Sequence, residues 1–159
     1  MYVENLVMKR TGDYVEPEET VSRGGMALED VVKSFSTNYQ TSILTVNDHD
    51  YIAISTYGGT MMIYDIDEWR LVDEVYTGIH TPRGSVVDNN GNIWIGGYGQ
   101  TLYCYNPYTN EGFNTERISQ LGSVFSMSLG DDGYLYFGGD RDASIFRFDP
   151  ETQEYTRFR

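Results

Sequence analysis

The side chains best suited to chemistry in this 159-residue sequence are His80 and Arg83. An imidazole changes charge near neutral pH and can act as a general base. A guanidinium three residues on can hold a carboxylate through paired hydrogen bonds. Together they would suit a lyase step, in which His80 removes a proton beside a carboxylate or ester held by Arg83. Tyr57 and Tyr98 add aromatic faces that could stack on sugar rings or apolar rings, and Asp140 and Arg141 add polar contacts. No Ser-His-Asp order, Cys-His metal spacing or phosphate-binding glycine loop accompanies them. Gly96-Gly97-Tyr98-Gly99 is followed by a strand pattern, whereas a phosphate loop opens a helix.

These residues are far apart in sequence, so a repeated scaffold has to bring them together. The stretch Gly91 to Tyr105 reads as a β-hairpin: a turn at Asn90-Gly91, the run Ile93-Trp94-Ile95, a break over Gly96 to Gln100, and a second run from Leu102 to Tyr105. It recurs upstream over Tyr51 to Asp65 and downstream over Gly133 to Asp149. By subtraction, Ile52 to Ile93 is 41 residues, Ile93 to Leu135 is 42, Tyr64 to Tyr105 is 41 and Tyr105 to Phe148 is 43. A period of roughly 40–45 residues made only of strands is that of a four-stranded propeller blade. The expected fold is therefore all-β, a β-propeller of about three four-stranded antiparallel blades, over about 41–78, 79–119 and 120–159. Residues 1–40 form an N-terminal extension or cap. In it, Tyr2 to Met8 suits a strand added to the array or a mobile tail, and Met26 to Phe35 has the apolar spacing of a short helix.

The composition agrees, with 17 glycines and 14 tyrosines against 4 prolines, which suits short strands joined by tight turns. A formal net charge of -13 with two lysines, Lys9 and Lys33, leaves no basic stripe, so nucleic acid is not expected as a partner. Neither a secretory signal nor an apolar run of about 18 residues is read, so the expectation is a soluble chain with no membrane insertion. The single cysteine, Cys104, lies in an apolar strand and is expected to be a packed thiol.

Strand alternation sorts the loops onto two faces. One gathers Tyr39, Gln40, Tyr57, His80, Arg83, Tyr98, Gln100, Asp140 and Arg141 from different repeats, as a convergent polar site would. The other gathers Asp48, His49, Asp50, Asp65, Asp67, Glu68, Asp88, Asp131, Asp132 and Asp149. Asp and Asn at short spacing are also calcium ligands. However, Asp88 to Asn92 lacks the later carboxylate of a calcium loop, and Asn47 to Asp50 has no glycine, so turn formation is the reading. No metal or other cofactor is assigned.

Gly91 to Gly99, Leu102 to Asn110 and Ile145 to Gln153 resemble the repeats of two-component regulator propellers, and more broadly the streptogramin-lyase-like and polysaccharide-lyase-associated propellers. The resemblance covers about residues 41–159. It implies the propeller fold and a setting such as a sensor ectodomain or a carbohydrate-active enzyme. Streptogramin lyases use a histidine base with a metal-assisted electron sink, which would give His80 that role. Where their repeats often read IWFTE, this chain has Ile93-Trp94-Ile95-Gly96-Gly97. The preferred function is a binding module that recognises a glycan or protein partner through the first rim, with a lyase-type carbohydrate- or lactone-active enzyme as the alternative. Three blades in an open arc would leave two apolar faces in water, larger than the roughly 300–600 Å² patch common on monomers. A homo-oligomer, or the remainder of a longer propeller, is therefore expected to complete the ring.

Overall fold

The computed structural model describes residues 38–46, 49–139 and 143–158. All regular elements among them are strands. They are β1 (Asn38–Val46), β2 (His49–Thr56), β3 (Thr60–Asp65), β4 (Arg70–Tyr76), β5 (His80–Val87), β6 (Ile93–Tyr98), β7 (Leu102–Asn106), β8 (Glu111–Asn114), β9 (Val124–Leu129), β10 (Leu135–Gly139), β11 (Ile145–Phe148) and β12 (Tyr155–Phe158). They form three four-stranded sheets, β1 to β4, β5 to β8 and β9 to β12, each antiparallel with neighbours in chain order. This is the expected up-and-down blade. The strand expected over Tyr2 to Met8 and the helix expected over Met26 to Phe35 lie outside the described residues.

The strands β1, β5 and β9 run along the inside of the arc, with β5 against both of the others. The period-2 alternation of each strand sends one set of side chains to the preceding blade and the other to the next. Leu44, Val46, Ala53, Met61 and Ile63 of the first blade pack on Ile93, Ile95, Tyr103 and Tyr105 of the second. Trp94, Leu102 and Cys104 point the other way, onto Leu135, Phe137, Phe146 and Phe148 of the third. Trp94 meets Phe148 edge-on at 5.4 Å.

Polar ties fix the first seam: Ser42 and Ser85 hydroxyls are 2.6 Å apart, and the Tyr105 phenol donates to Asp73 of β4. At the second seam the Ser119 amide donates to the Tyr155 hydroxyl at 2.9 Å.

The two outer faces differ from the expected pair of bare apolar surfaces. On the first blade, Ile54, Met62 and Tyr64 form a separate apolar cluster that is already buried. On the third blade, Tyr136 and Arg147 occupy the places that Trp94 and Cys104 hold in the second, flanked by Ser128 and Thr156. Tyr136 donates to Asp132 at 2.8 Å, and the Arg147 guanidinium lies 3.5 Å from the centre of the Tyr134 ring. That face is polar, with Ile145 and Phe158 exposed at one end.

Candidate functional site

The rim at which β2 turns into β3 and β6 turns toward β7 carries the predicted aromatic residues. Tyr57 caps the first hairpin, where Gly59 turns at a φ of +85° and its amide bonds the Thr56 carbonyl at 3.1 Å. A side chain is strained at such a φ, so glycine releases the turn that presents Tyr57. Tyr98 ends β6 and is paired with His80 across the ladder. The Thr81 amide reaches the Tyr57 carbonyl at 3.4 Å, tying the entry of the second blade to the hairpin of the first. Thr81 itself sits at a φ of +50°, and the β5 ladder is irregular between His80 and Gly84.

The structure therefore brings Tyr57, His80 and Tyr98 to one rim. It adds Tyr76, which the sequence reading did not single out. Tyr76 ends β4, and its ring lies along Gly59 in the Tyr57 turn, where a methyl on that glycine would be 3.5 Å from the ring edge. Tyr57, Tyr76 and Tyr98 are 56%, 66% and 72% exposed. An end-of-strand tyrosine looks in sequence like any other strand aromatic, so only the pairing of Tyr76 with Thr60 reveals its place.

Arg83 follows His80 on β5 and is exposed. Its guanidinium lies 4.4 Å from the centre of the Phe125 ring, on the neighbouring inner strand β9. This cation–π contact ties the second blade to the third. Among the described residues no hydrogen bond or ion pair orients the His80 imidazole. Asp140 and Arg141 lie outside the described residues, and so does the side chain of Tyr39.

At the opposite end the acidic turns do the local work expected of them. Asp88 accepts from the amides of Asn90 and Asn92 and, through its second oxygen, from the Trp94 indole at 2.8 Å. Beside it an open cleft of about 790 Å³ is lined by Asn92, Trp94, Cys104, Asn106, Glu111 and Phe113. The cleft's nucleophile is quiet, because burial, followed by the Asp88 charge, pushes the Cys104 thiol up to about 12. The packed-thiol reading of that cysteine agrees with its burial.

No helix among the described residues is long and apolar enough to cross a membrane. By sequence, no family model and no curated protein matches the chain. By structure, it is similar to the β-propeller domain of Cps50 (Swd1) from Myceliophteria thermophila, with a TM-score of 0.62 at 11% identity. The match covers 88% of this chain and 40% of that one, so the chain spans well under half of the propeller domain it resembles. The likeness supports the β-propeller fold.

Proposed function

We propose that this chain is a β-propeller interaction module whose tyrosine rim recognises a glycan or a protein partner. The observation that carries this reading is the row of exposed rings, Tyr57, Tyr76 and Tyr98, set beside His80 on one end of two adjacent blades. Tyrosine offers broad contact area at low entropy cost, together with a hydroxyl for hydrogen bonding. A short hairpin and a ladder pair hold these rings in place, so less ordering entropy opposes binding. Asp140 and Arg141 follow the third-blade strand β10 and are assigned to the same rim as polar contacts.

In this reading His80 is a contact residue. A lyase base needs a partner that fixes its proton position, and none is seen at His80 among the described residues. The alternative of a lyase-type enzyme therefore gains no supporting observation.

The rim is tested with the Y57A/Y76A/Y98A variant on a glycan array and in titrations with any glycan retained by the unaltered chain. The expected result is loss of binding by tenfold or more, with an unchanged melting profile, because all three rings are solvent-exposed. Undiminished binding by the triple variant would move recognition off this rim.

A further inference from the structure

The end of the arc opposite the tyrosines carries a side-chain cluster that the fold does not require. Each blade closes its third and fourth strands with a turn in which one side-chain oxygen accepts two backbone amides. In the first blade Asp65 Oδ1 accepts from Asp67 and Glu68, both at 2.9 Å. In the second, Asn106 Oδ1 accepts from Tyr108 at 2.8 Å and Thr109 at 3.2 Å. In the third, Asp149 Oδ1 accepts from Glu151 at 2.8 Å and Thr152 at 3.3 Å. Asn106 shows that the turn needs one oxygen and no charge.

Among the described residues, only in the first blade do two further ligating groups converge on that turn. His49 Nδ1 is 4.0 Å from Asp65 Oδ2 and 4.0 Å from Asp67 Oδ2, and ligand atoms of the three side chains lie within 4.8 Å of one another. At the places of His49 the other blades carry Asn90 and Asp132, and at the places of Asp67 they carry Tyr108 and Glu151. The imidazole with two carboxylates is thus an addition to the repeat. Asp65 is the anchor: its side chain is only 5% exposed, Oδ1 is occupied by the turn, and Oδ2 makes no hydrogen bond to a described residue. That oxygen faces His49 Nδ1 at 4.0 Å and has lone pairs to offer a cation.

We propose that His49, Asp65 and Asp67 bind a divalent transition-metal ion of the zinc class. One imidazole nitrogen and two carboxylate oxygens form a donor set that such ions accept, with water completing the shell. Bonds of about 2.0–2.2 Å would place tetrahedral ligand atoms roughly 3.4 Å apart. Closing from the observed spacing needs small rotamer changes in His49 and Asp67, whose side chains are 53% and 67% exposed. Asp65 stays fixed, its other oxygen held by amides, as is usual for a ligating carboxylate. The ion would clamp the start of β2 to the β3–β4 turn.

The test is calorimetric titration of the chelator-treated full chain with zinc chloride, repeated with cobalt(II) to read the visible d–d bands. The expected result is one equivalent bound, weakened at least tenfold in H49A and in D65N, and unchanged in H80A, which removes the only other histidine. D65N keeps the turn oxygen, as Asn106 does, and H49A removes an exposed side chain, so both variants should fold. Absence of zinc binding in the unaltered chain, or binding that survives H49A at full strength, would overturn the proposal.

Discussion

The side chains that matter most to the fold are polar groups placed inside it. Tyr105 is almost fully buried, and its phenol donates to Asp73 across the first seam. Burial first, then this bond and the Asp73 charge, hold its proton well above the ordinary tyrosine value of 10. The native state thus keeps that proton more tightly than the unfolded chain does. Its stabilising contribution is complete below pH 10 and is lost as pH rises through the higher native value. Cys104 adds a loss of the same sign between its ordinary value of 9 and about 12. Urea unfolding from pH 8 to 11 should therefore show stability falling with pH. Y105F should be less stable at pH 8 by roughly 1–3 kcal/mol, for a lost bond to a charged group, and should show a shallower fall above pH 10. An identical alkaline slope in both proteins would remove Tyr105 from the seam.

Residue types also set how much of the sites was readable in advance. Tyr57, His80 and Tyr98 were legible because the repeat period assigns each to the same end of a blade. The contact of Arg83 with Phe125 was not legible, since it depends on how β5 packs beside β9, which the repeat period does not report. The His49, Asp65 and Asp67 cluster spans a strand start and a turn. All three were placed on the acidic face, but their convergence depends on which rotamers the turn permits.

At the scale of elements, the hairpins were legible because apolar alternation and Gly or Asn turns recur at a fixed period. The weakest strand is β8, which ends at Asn114. Beyond it Thr115 answers Leu102 with both its amide and its hydroxyl, and Ile118 and Leu121 turn into the second seam. Burial of those two side chains outweighs continued pairing.

The seams also predict how equivalent glycines respond. A methyl on Gly96 would lie 2.7 Å from Val124 Cγ2, whereas one on Gly138, the same position a blade later, meets nothing closer than Ser126 Oγ at 4.0 Å. G96A should cost about 1–3 kcal/mol through overpacking, and G138A should change stability by less than about 0.5 kcal/mol. Denaturant melts of the two variants check this. Equal losses would mean that the third blade's outer face is packed like the second's.

For the whole molecule, the need for a closing partner looks different once the outer faces are known. The expectation of a homo-oligomer rested on two bare apolar faces. On the first blade Ile54, Met62 and Tyr64 are instead buried while Ile43 stays exposed, and the third presents Tyr136, Arg147, Ser128 and Thr156. A second copy joined head to tail would set an arginine and its Asp132 partner against apolar side chains, and burying that pair is costly. No head-to-tail pairing of copies through these two faces is therefore expected. The solution mass from light scattering over a dilution series tests this most directly. A concentration-independent monomer near 18.2 kDa is expected. A stable dimer would contradict it, and would make the rim a composite of two copies.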